Sequence, residues 1–249
     1  MANLRCILMG RKGKMVEEII ESKYLAERLT LTLYQPEAFS PLYKYNICIM
    51  QDGNDYYQMG RIATLSDKLH ANNEITNTVF VGIHYRDKFD RSKKYHPNGE
   101  QQADYIKFLV HEVVPLLDDI LPTYHMGQSR ALIGDSLAGT LALMAALKYP
   151  NTFGKVMMQS PYVDQTVINA VEQASNIHAI DIYHTIGTAE TAVKTTDGQT
   201  LDFVTPNREL SKALTAKGAS YTYRELEDGI HTWKYWQKDL PNVLMAMFE

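Results

Sequence analysis

One stretch near the middle of the chain restricts the possible folds more than any other. A short apolar run at 131–133 leads into the six residues GDSLAG (134–139), and an alanine-rich segment at 141–148 follows. The residues two positions on either side of Ser136 are glycine and alanine, as a turn too sharp for larger side chains requires. The stretch therefore predicts a strand and a helix packed closely together, with Ser136 at the bend between them.

Apolar segments typical of strands alternate with helical patterns along most of the chain. Strands are predicted at 27–34, 45–50, 78–84, 131–133, 155–159, 179–186 and 221–226. Helices are predicted at 101–120, 141–148, 207–217 and 233–248. This alternation indicates an α/β protein with a mostly parallel central sheet and helices on both of its faces. Because no repeat or linker-like segment interrupts the pattern, we expect residues 1–249 to form a single domain.

The composition argues against several kinds of partner. The net charge of -4 gives no electrostatic reason to expect nucleic acid or an anionic membrane. No apolar run approaches the roughly 18 residues of a membrane-spanning helix, and the apolar stretch near the N-terminus is too short for a secretion signal. Cys6 and Cys48 are too few for a disulfide framework or a zinc site. We therefore expect a cytoplasmic protein, with association into a homo-oligomer left open.

Ser136 has the surroundings of a catalytic nucleophile. At the start of a helix, free backbone amides and the helix dipole favour the negative charge that develops during acyl transfer. A serine hydroxyl also needs a base to accept its proton. In folds with this strand–turn–helix nucleophile, the order along the chain is serine, acid, histidine. Of the eight histidines only His231 follows the last predicted strand, so His231 is the predicted base.

The acid that orients this histidine should follow the predicted strand at 179–186. Glu190 lies closest to the end of that strand, whereas Asp197 and Asp202 lie further along the same loop region. A carboxylate at any of these positions could hold the imidazole in one tautomer and stabilise its protonated form. Glu190 is the predicted acid, with Asp197 and Asp202 as the alternatives.

Two backbone amides are predicted to form an oxyanion hole. One belongs to Leu137, the residue after the nucleophile. The other should come from the loop after an early strand, and the residues QDGN (51–54) follow the predicted strand at 45–50. We expect the amide of Asn54, or failing that of Gly53, to point toward the same site.

Stretches from one end of the chain to the other carry a family resemblance. They lie at 22–25, 34–36, 51–54, 81–86, 95–97, 108–109, 112–115, 130–139, 149–150, 153–154 and 229–236. With them the chain resembles the putative-esterase family of α/β-hydrolases, which includes enterochelin-esterase-like enzymes, S-formylglutathione hydrolases, feruloyl esterases and mycolyltransferases. The ending Gly229-Ile230-His231-Thr232-Trp233 is similar to that of the enterochelin-esterase branch.

The resemblance implies an α/β-hydrolase fold, Ser136 as nucleophile, His231 as base and an acid near Glu190. It implies a serine esterase that acts on a small-molecule ester through an acyl-enzyme, without a metal or other cofactor. A siderophore trilactone is the sharper version of that substrate. An acyltransferase and a non-catalytic binding protein on the same scaffold are the alternatives. The chain departs from the family pattern at Ala138, where glycine is usual, and at Glu190, where many members have aspartate.

The substrate contacts predicted from the sequence are Arg86, Tyr57 and Trp233. Arg86 opens the charged segment at 85–99, which follows a strand end and would border the site. There Arg86 would bind an anionic group, as the siderophore-esterase resemblance suggests. A solvated loop is an equally plain interpretation of that segment. Tyr57 and Trp233, together with Tyr56, would line the acyl or alcohol side, although aromatic residues at such positions often simply pack.

Overall fold

The computed structural model describes residues 11–196 and 198–249. Within these residues, eight strands form one central sheet. They are β1 (Lys14–Ser22), β2 (Glu27–Gln35), β3 (Asn46–Met50), β4 (Thr78–Ile83), β5 (Arg130–Asp135), β6 (Lys155–Gln159), β7 (Asp181–Gly187) and β10 (Ser220–Leu226). A separate hairpin is formed by β8 (Val193–Lys194) and β9 (Thr200–Leu201).

Most of the central sheet is parallel. The strand order is β1-β2-β4-β3-β5-β6-β7-β10. β2 pairs antiparallel with both β1 and β4, and the remaining neighbours pair parallel. The predicted mostly parallel sheet is confirmed. The sequence pattern does not predict β1, an edge strand whose outward side chains are largely exposed.

The helices α1 to α8 lie between strands along the chain, and α9 follows the last strand. They are α1 (Gly53–Gln58), α2 (Ile62–Ala71), α3 (Lys88–Tyr95), α4 (Gln102–Phe108), α5 (Val114–Ile120), α6 (Leu137–Lys148), α7 (Gln165–Gln173), α8 (Val204–Ala216) and α9 (Trp233–Phe248). A π-helical turn at Leu109–Val113 joins α4 to α5, so the helix predicted at 101–120 is present with one wide turn inside it. We find no helix in residues 11–196 and 198–249 that is long and apolar enough to cross a membrane.

Two apolar cores cover the two faces of the sheet. One core joins the sheet to α4 through α8, and its centre is α6, where the alanines at 138, 142, 145 and 146 are completely buried. The other core joins the opposite face to α1, α2 and α9. The parallel strands thus have helices on both faces, and their carboxyl ends converge at one edge of the sheet. Ser136, Glu190 and His231 all lie in segments that leave strands at this edge.

Candidate active site

Ser136 lies at the turn between β5 and α6. Its backbone has φ 52° and ψ -125°, a conformation that is unfavourable for any residue with a β-carbon. A hydrogen bond of 2.9 Å from its amide to the carbonyl oxygen of Gln159 on β6 holds the turn. A β-carbon at Gly134 would lie 2.3 Å from the backbone of Ala138. The glycine in the sequence pattern is therefore required by the close approach of strand and helix.

Glu190 and His231 are paired. Nδ1 of His231 lies 2.6 Å from Oε2 of Glu190. Glu190 is 2% exposed. The other carboxylate oxygen accepts hydrogen bonds from the hydroxyl of Ser160 at 2.6 Å and from the amide of Gly187 at 2.9 Å. An ionised carboxylate only accepts hydrogen bonds, so a proton on Nδ1 leaves Nε2 of His231 free to accept one.

Aromatic rings fix the imidazole from two sides. The ring centroid of Phe203 lies 4.7 Å from that of His231, and the centroid of Trp236 lies 4.9 Å away, both with edge-to-face geometry. The indole Nε1 of Trp236 also donates to Ser160 Oγ at 2.9 Å. A continuous chain of hydrogen bonds thus runs from Trp236 through Ser160 and Glu190 to His231, which limits rotation of the imidazole.

Ser136 and His231 line the same cavity, which has a volume of about 380 Å³. Its walls include Trp233, four further aromatic residues and the β8–β9 hairpin; these aromatic residues are Tyr85, Tyr162, Phe203 and Trp236. Among the described residues we find no group of three or more His, Cys, Asp or Glu side chains arranged to hold a metal ion. A cavity of this volume and with these walls can enclose a small organic ligand, with one end of the ligand beside Ser136 and His231.

A cluster of buried charges adjoins the serine. Arg91 forms an ion pair with Asp52, and both side chains line the cavity together with Asp55 and Asp135. Asp135 is 5% exposed, and one of its carboxylate oxygens has no hydrogen-bond partner among the described residues. Burial, followed by the charge of Asp52, raises the pKa of Asp135 well above its ordinary range. Sequence reasoning missed this cluster because Arg91 lies 39 residues from Asp52 and 44 residues from Asp135 along the chain.

The structure describes two of the three candidate acids, Glu190 and Asp202. Glu190 contacts His231, as described above. Asp202 instead accepts hydrogen bonds from the amides of Val204 and Thr205 at the start of α8, at 2.8 and 3.3 Å. Its carboxylate is therefore used in capping that helix. Asp197 lies outside the described residues.

The predicted substrate contacts are divided between two cavities. Trp233 and Leu137 line the cavity of Ser136, whereas Asn54, Tyr57 and Arg86 line a neighbouring cavity of about 770 Å³ beside β1 and β2. The structure thus does not bring Tyr57 and Arg86 to the serine. The hydroxyl of Tyr57 donates to two backbone carbonyls, at 2.8 and 3.0 Å, and the Arg86 side chain is 71% exposed.

The amides predicted for the oxyanion hole belong to the first turns of α6 and α1. Leu137 is the first residue of α6 and Gly53 the first of α1, so their amides have no acceptor within their own helices. The amide of Asn54, the next residue of α1, likewise has no acceptor within the helix, although Asn54 lines the neighbouring cavity. Ser160 and Trp236 are further residues of the site, and only Trp236 has a signal in the sequence, in the ending at 229–236. Nothing in the sequence pattern pointed to Ser160, which follows β6.

Comparison with known proteins agrees with this architecture. The family model described as Putative esterase matches residues 22–247. An uncharacterized protein of Bacillus subtilis (strain 168), YjcH, is 46% identical over 237 residues, which cover 95% of this chain and 98% of YjcH. A second uncharacterized protein of that strain, YbbA, is 26% identical over 145 residues, which cover 54% of this chain and 57% of YbbA.

Solved structures share the fold at low sequence identity. A ferulic acid esterase has a TM-score of 0.78 at 18% identity, with 95% of this chain and 98% of that chain covered. The enterobactin esterase FES from Shigella flexneri, in the presence of enterobactin, has a TM-score of 0.80 at 20% identity. That match covers 94% of this chain and 58% of FES. With its parallel sheet, its strand–serine–helix turn and the family match over almost its whole length, the chain belongs to the putative-esterase family and has the α/β-hydrolase fold.

Proposed function

We propose that this protein is a serine carboxylic ester hydrolase that works through an acyl-enzyme. The observation that carries the proposal is the buried Glu190–His231 pair, which opens on the same cavity as Ser136 at the end of β5. An acid, a base and a nucleophile supplied by three different loops have the roles of a catalytic triad. The family match supports hydrolysis of an ester rather than of another bond.

The proposed reaction has two acyl-transfer steps. Oγ of Ser136 attacks the ester carbonyl carbon while Nε2 of His231 takes the hydroxyl proton. The amides of Leu137 and of Asn54 or Gly53 stabilise the oxyanion that forms. The carbon–oxygen bond of the leaving alcohol then breaks, and His231 returns the proton to the alcohol. Water attacks the acyl-enzyme in the same way, releasing the acid and restoring Ser136.

The cavity favours small to medium esters. Its volume of about 380 Å³ and its aromatic walls suit one compact acyl or alcohol group. A siderophore trilactone is the sharper proposal, supported by the fold shared with FES, whose structure was solved in the presence of enterobactin. Arg86 would contact an anionic part only if the substrate extended into the neighbouring cavity.

A panel of esters tests the proposal. We expect p-nitrophenyl acetate or butyrate to be hydrolysed, and Ser136→Ala to lower kcat by about a million-fold, to the detection limit, because the nucleophile is lost. Circular dichroism should show that the variant remains folded. Adding a ferric-siderophore lactone to the panel tests the sharper substrate. Turnover retained by Ser136→Ala would refute the assignment of the nucleophile.

A further inference from the structure

We propose that Arg91 is a positioning residue for oxyanion stabilisation: it holds the loop after β3 and the turn after β5, which contains Ser136, in a fixed position relative to each other. The inference rests on the proposed function, since only an acyl transfer forms an oxyanion here. Arg91 belongs to α3, which supplies none of the groups named in the reaction above. Its guanidinium nevertheless contacts both of the loops that do.

The first contact is with the loop after β3. Nε of Arg91 lies 2.9 Å from Oδ1 of Asp52, and Nη2 lies 2.6 Å from Oδ2. The two side chains are 12% and 1% exposed. A planar guanidinium that binds both oxygens of a carboxylate fixes its orientation as well as its position.

Asp52 needs such a restraint because of its backbone. It has φ 58° and ψ 41°, in the left-handed region that residues other than glycine rarely occupy. Gly53 and Asn54, the two candidates for the second oxyanion amide, follow it directly. The ion pair with Arg91 therefore stabilises the turn that aims these amides.

The second contact is with the nucleophile turn. Nη2 of Arg91 also donates to the carbonyl oxygen of Asp135 at 3.1 Å. Asp135 immediately precedes Ser136, and the other predicted oxyanion amide, that of Leu137, comes right after the serine. One guanidinium thus links the loop after β3 to the turn after β5. The ammonium group of a lysine could not reproduce this planar set of contacts.

The position of α3 itself does not depend on Arg91 alone. Lys94, one turn further along the helix, lies 2.8 Å from Asp90 and also pairs with Glu27 on β2. Lys94 is as deeply buried as its partner, each side chain being 3% exposed. No contact of Lys94 with either oxyanion loop occurs among the described hydrogen bonds and ion pairs. Lys94 therefore provides a matched control, a buried basic residue on the same helix.

The experiment compares Arg91→Lys with Lys94→Arg. We expect Arg91→Lys to lower kcat about 10- to 100-fold, less than complete loss of one oxyanion donor, while KM stays within about threefold. A trifluoromethyl ketone, whose adduct with serine mimics the tetrahedral intermediate, should bind less tightly by the same factor. The concentration of active sites is measured by titration with a fluorophosphonate, so that kcat is calculated for folded protein only. Lys94→Arg should keep its kcat even if its melting temperature falls.

Asp52→Asn tests the same link from the other side. It keeps the size of the side chain but weakens the bidentate pairing, so kcat and affinity for the ketone should fall together. This variant decides the question if Arg91→Lys does not fold. A kcat of Arg91→Lys or Asp52→Asn within threefold of the parent, or an equal loss in Lys94→Arg, would overturn the positioning role. If the unchanged protein neither hydrolyses esters nor binds the ketone, the proposed function itself fails.

Discussion

Both carboxylate oxygens of Glu190 are held by hydrogen bonds. Its carboxylate is buried, one oxygen contacts the imidazole, and the other is held by Ser160 and Gly187. A carboxylate fixed in this way can hold the histidine in one tautomer through both proton transfers. The hydrogen bond from Trp236 to Ser160 connects this group of side chains to α9.

Replacing the acid should lower the rate without removing the nucleophile. We expect Glu190→Gln to reduce kcat about 10³- to 10⁴-fold, because an amide no longer selects the productive tautomer. Asp202→Ala is the matched control, since Asp202 caps α8 and does not contact His231. It should cost about 1 kcal/mol of stability and leave kcat unchanged. Ester hydrolysis and chemical denaturation measure the two effects; similar rate losses in both variants would contradict the assignment.

At the scale of residues, the sequence could suggest the candidate site residues that are marked by a local pattern or by their order along the chain. Ser136 has a local signature, and His231 is the histidine that follows the last strand. Arg91 and Ser160 could not be predicted, because their partners are brought near only by the folded sheet. Tyr57 and Arg86 follow β3 and β4 in the chain, which suggested a place near the serine, but they line the neighbouring cavity.

The turn from β5 to α6 acts as one structural element. Ser136 has an unfavourable backbone conformation, which is held in place by the burial of α6 and by the hydrogen bond from the Ser136 amide to Gln159 on β6. Gly134 and Gly139 allow the helix to approach the strand: a β-carbon at Gly139 would lie 2.9 Å from the carbonyl oxygen of Gly134. The conformation of Ser136 therefore depends on residues outside the proposed chemistry.

Gly134→Ala tests this dependence. The added methyl group would meet the backbone of Ala138, which cannot move aside as a flexible side chain could. We expect a loss of about 1–3 kcal/mol in the free energy of unfolding, together with a lower kcat per folded molecule. Urea denaturation and active-site titration measure the two quantities. An alanine variant with unchanged stability and rate would show that the close approach is not required.

Some elements were predicted closely and others were missed, the helices α2, α3 and α7 among them. The predicted segments at 155–159 and 233–248 coincide with β6 and α9. The strand β1 and the β8–β9 hairpin were missed, since the first is an exposed edge and the second has only two residues in each strand. α1 was missed as well, because its six residues follow a left-handed turn at Asp52 that has no clear sequence signal.

At the scale of the whole molecule, the sheet contains a buried histidine on β7, next to the edge strand β10. His184 on β7 lies 2.8 Å from the hydroxyl of Tyr221 and 2.7 Å from the side-chain oxygen of Asn207. It thereby connects β7 to β10 and α8. Burial lowers the pKa of His184 from its ordinary value of 6.5 to about 4. The folded protein therefore keeps this imidazole neutral at pH values where the unfolded chain protonates it.

Stability should accordingly fall on acidification. Between pH 6.5 and about 4 the unfolded state binds a proton that His184 in the folded state does not, and the gap corresponds to about 3 kcal/mol. Burial also lowers the pKa of His70 and His84, which act in the same direction. His184→Gln isolates the contribution of His184: its unfolding free energy should depend less on pH over this interval. Equal slopes for the variant and the parent would contradict the prediction.

The central claim is that Ser136 is a nucleophile activated by His231. Reaction with a fluorophosphonate, followed by mass spectrometry of the peptides, tests it directly, because the reagent labels only serines whose hydroxyl is activated by a base. The account predicts one label, on Ser136, that is absent in Ser136→Ala and forms much more slowly in His231→Ala. A label on another residue, or no label on a folded protein, would contradict it.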